Sequence, residues 1–303
     1  MSSTSSPVSP IDKEKAEALS GVDHVEPTAV NITTDSGRLH ALEQIEILPQ
    51  ILREGILFAG SGAALLLQAA LPDLRNLEAP SGNADALITE LLDALQAHLS
   101  YISILVFGTR AERQNLLNLL HRGEAPGLPD GRNNRFAHHP SLQLWMAATS
   151  YVTATDFYQR VYGRIDFESA QRGYSEFTLI MNCLGVPPGT WPSSREAFWH
   201  YWDDQVSKLQ VSSDAVQLAQ SLRDSTDMPR WVQRIKPFLH SATVELLPPK
   251  LREAYGLKST AKTRALYRMM MGFSITVYPA LPNKWRAYPL RYYQDRLKTK
   301  LTA

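Results

Sequence analysis

The sequence predicts an all-α fold, and three observations predict it. Apolar residues recur at three- and four-residue steps through long stretches, most clearly "ADALITELLDALQAHLSYISILVFG" at 84–108. That spacing lines one face of a helix. Capping residues and glycines bracket such stretches where helices start and stop. No stretch alternates apolar and polar residues as a half-buried strand does, and no period repeats along the chain. With 303 residues and 44% hydrophobic composition, the chain can bury one sizeable core. The expected architecture is a single globin-like multi-helix domain over 45–303, behind a disordered leader at 1–44.

The elements follow in order. The leader is rich in Ser, Thr, Pro and charge, with little apolar periodicity. "GILFAGSGAALLLQAALP" at 55–72 is near the minimum length of a membrane span. Ser61, Gln68, the flanking Arg53-Glu54 pair and Pro72 favour a buried core helix instead. Gly60, Gly62, Ala63 and Ala64 let another helix, or a flat ligand, come close to its backbone. The 84–108 helix takes Asn83 as its cap and Gly108 as its stop, and the next runs from Thr109 to Gly123. "GEAPGLPDGRNN" is a loop by its turn residues. A helix then closes at Gly163, and another starts on Asp166 and ends at Gly185. After the "VPPGTWP" turn, helices are expected in "SSREAFWHYWDDQVSKL", "SSDAVQLAQSLRDS" and "TDMPRWVQRIKPFLHSATVELLP". "PPKLREAYGL" opens on proline, which suits a first helical turn. "STAKTRALYRMMMGFSITVYPAL" is a long apolar helix, followed by the basic, aromatic "NKWRAYPLRYYQDRLKTKL". Such a tail can lie on a membrane interface, or pack its aromatics inward and leave its cations in water.

Composition excludes several functions. A net charge of +1 gives no global field for nucleic acid. Cys183 is the lone cysteine, which excludes an internal disulfide or a multi-cysteine metal site and suits a reducing, cytoplasmic setting. "MSSTSSPVSP" has neither the basic nor the apolar region of a secretory signal. No H-E-x-x-H, P-loop, dinucleotide fingerprint or G-x-S-x-G occurs.

The histidines are the main chemical resource. His24 and His40 belong to the leader and are expected in water. His98 lies on a largely buried helix, and His121 ends the next one at "LLNLLH". Either imidazole can ligate iron or zinc, and either can be structural; a helix C-terminus favours histidine through its dipole. His138 and His139 precede Pro140, which holds His139 extended, so neighbouring rings point apart and suit a loop better than one metal. Thr149 and Thr153 share a helix face with Trp145 nearby. Their hydroxyls either bond back to the preceding turn or give an apolar pocket its polar handle.

Taken in order, "REGILFAGSGAALLLQAALP", the "FGT" at 107–109, "LLNLLH" before a Gly-rich loop, "WMAAT", "YSEFTLIMNCLGVPPGTWPSSREAFWHYW" and "LLPPKLREAYGL…RALYRMMMGFSITVYPALP" carry a resemblance over roughly 45–300. The chain resembles the family of the rubber oxygenase (latex clearing protein) catalytic domain and the fungal oxygenase of mycophenolic acid biosynthesis. The resemblance implies an all-helical fold holding haem b and, in members of known reaction, cleavage of an isoprenoid double bond with O₂. His121 matches the proximal iron ligand of the family's H-x-x-V-x-G segment, with Gly127 as the approximate glycine. Trp145 and Thr149 match the ends of its W-V-H-A-T, while Ala147 stands where that histidine would be.

The expected function is therefore a haem-dependent oxygenase or oxidase acting with O₂ on an apolar, prenylated small molecule, in fungal secondary metabolism. His121 binds iron, Trp145 borders the cofactor, and His98 and Thr149 orient oxygen or donate protons. The rival reading is a non-catalytic helical protein that binds haem or an apolar ligand. The expected partners are that small molecule and, through the basic tail, a membrane surface such as the endoplasmic reticulum. No nucleic acid is expected.

Overall fold

A computed structural model describes residues 15, 34–72, 97–123, 140–186, 189–224, 230–288 and 291. Every regular element among the described residues is helical, as expected. They are α1 (Asp35–Glu43), α2 (Ile47–Leu52), a 3₁₀ turn at Gly55–Gly60, α3 (Ser61–Ala69), α4 (97–107), α5 (Arg110–Arg122), α6 (Pro140–Tyr162) and α7 (Phe167–Cys183). There follow α8 (Arg195–Lys208), α9 (Ser213–Asp224), α10 (Arg230–Leu246), α11 (Pro249–Ala254), α12 (Ala261–Thr276), a 3₁₀ turn at Tyr278–Ala280, and α13 (Asn283–Arg286). Asn83, Gly127, His138 and His139 lie outside the described residues, as do His24 and most of the leader.

The predicted caps set the helix ends. Thr109 accepts a hydrogen bond from the Glu112 amide, and Glu112 reaches back to Thr109 N, closing a reciprocal capping box on α5. Gly123 ends α5 at φ 70°, a left-handed turn that glycine takes without strain. Asp166 and Ser194 cap α7 and α8. One boundary moves: α1 forms inside the stretch assigned to the leader. Thr34 caps it, and Leu39, Ala41 and Leu42 are buried. Three apolar residues in a polar, charged segment give too weak a period to read, yet their burial against α5 and α7 is enough to order the helix.

The core is built around α3 and α6. α3 buries seven consecutive residues, Ala63 to Ala69, and packs against α6, α9 and α10. An apolar run buried on every side is a core helix by construction. Among the described residues no helix is long and apolar enough to cross a membrane. Two glycines permit this packing. A Cβ at Gly60 would collide with Thr153 of α6, and one at Gly62 with Thr243 of α10. Close approach of helices is thus what these small residues serve. Beside α6, Tyr151 meets Phe198 at 5.1 Å and Phe177 at 5.2 Å between ring centres, and Trp191 closes the cluster 5.4 Å from Phe198. Glu176 of α7 accepts hydrogen bonds from the amides of Glu46, Ile47 and Leu48, at 2.8, 3.0 and 2.7 Å. One carboxylate thereby satisfies the open N-terminus of α2.

Candidate functional site

Trp145 and Thr149, one turn apart on α6, face α3 together. The Trp145 indole donates to Leu67 O at 2.9 Å and stacks on Trp202 at 5.1 Å. Thr149 is fully buried; its Oγ1 accepts from Gln68 Nε2 at 2.8 Å and donates to the Trp145 and Met146 carbonyls, each at 3.0 Å. Both readings of this hydroxyl are therefore realised at once, the backbone bond and the polar handle. Its proton is committed to α6 itself. Its lone pair holds Gln68, whose Oε1 is sealed from solvent without a hydrogen-bond partner. Ala147, between the two, is fully buried.

His98 lies on α4. Its Nε2 is sealed from solvent and has no hydrogen-bond partner among the described residues, while the residue as a whole is half-buried. Burial pushes its pKa down to about 4, so the imidazole is neutral at pH 7. Neutral imidazole has one N–H and one lone pair to offer.

His121 lies elsewhere, tied to α1 rather than to α6. Its side chain is 51% exposed, so water reaches it. Nε2 faces Arg38 Nη1 at 3.3 Å, and Nδ1 faces Asp35 Oδ2 at 3.5 Å. A guanidinium can only donate, so Nε2 accepts and Nδ1 carries the proton toward the carboxylate. That is the tautomer a metal-ligating imidazole uses, with the lone pair on Nε2 and a carboxylate behind Nδ1. Among the described residues no group of three or more His, Cys, Asp or Glu could hold a metal ion. A single axial imidazole does not need such a group. The donor chemistry at His121 suits an axial imidazole ligand, while the α3–α6 contact at Trp145 is closed by protein side chains.

The comparisons decide the family. Residues 48–275 match the family model described as "ER-bound oxygenase mpaB/B'/Rubber oxygenase, catalytic domain". The chain belongs to this family. Curated relatives include uncharacterized proteins of Mycobacterium tuberculosis and Mycobacterium bovis. Each is 26% identical over 157 residues, a match covering 50% of this chain and 61% of the relative. The chain thus spans less than two thirds of those relatives. No solved structure matches. The rubber-oxygenase match starts at α2 and ends within α12, so it takes in all four residues singled out above.

Sequence reasoning missed two polar clusters. Gln68 looked like an argument against a membrane span, and its pairing with Thr149 needed the fold. Glu54, 2% exposed, accepts from Tyr162 Oη at 2.8 Å and pairs with Arg286 Nη1 and Arg53 Nε, each at 3.2 Å. Burial and then the Glu54 carboxylate push the Tyr162 hydroxyl up to about 12, which keeps it a donor. A cavity of about 310 Å³ opens beside this cluster, between Arg53, Glu54 and Phe107 on one side and Asn283, Arg286 and Arg291 on the other. The only sequence signal was a charged pair flanking an apolar run.

Proposed function

We propose that this chain is a haem-dependent oxygenase or oxidase acting on an apolar small molecule, with a prenylated compound as the substrate class. Family membership supports the reaction class. The single observation that carries the cofactor reading is the neutral His98 with its unpartnered, sealed Nε2. A buried polar atom left unpaired is costly, and of the orphaned atoms among the described residues this one belongs to an imidazole able to meet a bound group.

His121 would hold the iron through Nε2, once Arg38 gives up that nitrogen, and Asp35 would keep the proton on Nδ1. Haem, when bound, supplies binding and activation of O₂. Trp145, which the family motif places beside the cofactor, is held by Leu67 and Trp202 at the closed α3–α6 contact, so in this reading it acts by fixing α6 against α3. His98, held neutral, orients a small polar reactant through its N–H or its lone pair. Thr149 acts through Gln68: it holds the amide and leaves Oε1 open as an acceptor. The lone, buried Cys183 supports a cytoplasmic setting. The fungal branch of the family supports a role in secondary metabolism.

The test is the visible spectrum of the purified chain supplied with haem. The expected result is a Soret band that disappears in His121→Ala and shifts in His98→Ala. No Soret band in the unaltered chain would remove the haem reading. One observation favours the rival, a non-catalytic haem- or apolar-ligand-binding protein: the methyl of Ala147 stands, fully buried, where W-V-H-A-T presents an imidazole. O₂ consumption with a prenylated substrate separates the two.

A further inference from the structure

α12 is buried on one side and apolar on the other. Met271 and Ser274 face inward, where the helix packs on α6 and α10. Met269, Phe273 and Ile275 face out, 63, 49 and 50% exposed. Val277, Trp285 and Tyr288, further along the chain, are exposed as well. Six of the seven large hydrophobic side chains exposed among the described residues fall between 269 and 288, so they are not the ordinary scatter of single residues along the chain.

The charge of the same stretch is one-sided. Between Glu253 and Asp295 the sequence has no acid, but it has Lys258, Lys262, Arg264, Arg268, Lys284, Arg286 and Arg291. Among the described residues only Arg286 of these is paired with an acid, Glu54. On α12 the cations occupy the first half, with Arg264 and Arg268 one turn apart. The apolar side chains occupy the second half, with Met269, Phe273 and Val277 at four-residue steps.

We propose that this face seats the protein in the plane of a membrane leaflet that carries anionic lipid. Met269, Phe273, Ile275 and Trp285 enter the boundary between headgroups and acyl chains. Lys262, Arg264, Arg268 and Lys284 lie over the anionic headgroups. Exposed Trp and Tyr suit that boundary, because one ring edge is apolar and the other polar. Unpaired cations beside them add attraction to anionic lipid. A second copy of the chain is the poorer occupant. A two-fold contact would lay this cation-rich stretch, which has no acid of its own, on itself and oppose like charges. The seat is independent of the haem reading.

The experiment is flotation of the full chain with vesicles of phosphatidylcholine alone and of phosphatidylcholine mixed with phosphatidylserine. Binding is expected to the mixed vesicles, and to fall about tenfold or more without the anionic lipid. It is also expected to fall in ~1 M salt, where the Debye length is about 3 Å. Phe273→Ser with Ile275→Ser, and separately Arg264→Glu with Arg268→Glu, each lower binding about tenfold or more. The thermal unfolding curve of each variant pair should match that of the unaltered chain, since these side chains point outward. His121→Ala floats like the unaltered chain, whatever its spectrum. Absence of flotation, or full binding by both folded variant pairs, overturns the proposal. A concentration-dependent dimer abolished by the Phe273 and Ile275 changes would assign the face to a second copy and likewise overturn it.

Discussion

At the scale of the residue, the strongest feature is an imidazole kept neutral by burial. The folded state holds His98 near a pKa of about 4, against about 6.5 in an unfolded chain. Below pH 6.5 the unfolded chain therefore binds a proton that the folded chain refuses. Stability is fully present above that value and is lost as the pH falls toward 4. The loss amounts to at most about 3 kcal/mol, from 1.36 kcal/mol per unit. In haem-free protein, urea unfolding should thus show a steep decline between pH 6.5 and 4. His98→Leu should flatten that decline and leave the variant more stable than the unaltered chain at pH 5. An unchanged slope in the variant would mean that another group governs it.

At the scale of the element, the α3–α6 contact depends on one buried amide–hydroxyl pair. Thr149→Val keeps the side chain's shape but leaves Gln68 Nε2 without its acceptor, in a site where Gln68 Oε1 already lacks one. The expected cost is about 1–3 kcal/mol in urea unfolding. Gln68→Leu removes both orphaned atoms, so adding Thr149→Val to it should cost well under 1 kcal/mol. Equal costs in the two backgrounds would show that the pair contributes nothing. Elements of this kind also mark what the sequence could and could not reveal. Thr109, Asp166 and Ser194 each accept from the amide three residues on, so their caps were legible from spacing alone. Gln68 and Thr149 lie 81 positions apart, and Glu176 caps α2 from 128 positions away. No local pattern encodes such partners. α1 was missed because its few apolar residues gain their burial from α5 and α7. Of the site, His98 could be read as buried from the apolar run around it. The Asp35 and Arg38 partners of His121 could not be read, because they sit in the segment whose composition suggested disorder.

At the scale of the whole molecule, the ends of the helical body are tied together through Glu54. Its carboxylate meets Arg286 from α13 and Tyr162 from the end of α6, and the Tyr278 hydroxyl accepts from Ile56 N in the first 3₁₀ turn at 3.1 Å. The pair is deeply placed, with the Glu54 side chain 2% and the Arg286 side chain 12% exposed. Removing Arg286 leaves the buried Glu54 carboxylate with only the half-exposed Arg53 and the Tyr162 hydroxyl, which costs more than the pair contributes when intact. Arg286→Met keeps the stem and removes the guanidinium. It is expected to cost about 3 kcal/mol, against about 1 kcal/mol for Tyr162→Phe, which deletes only a hydroxyl. Arg286→Met should also loosen the segment after α12. Amide hydrogen exchange there should quicken while exchange in α3 and α6 keeps pace with global unfolding alone. Uniform acceleration across all helices would instead mean that the tie stabilises the whole body at once and leaves no separable C-terminal unit.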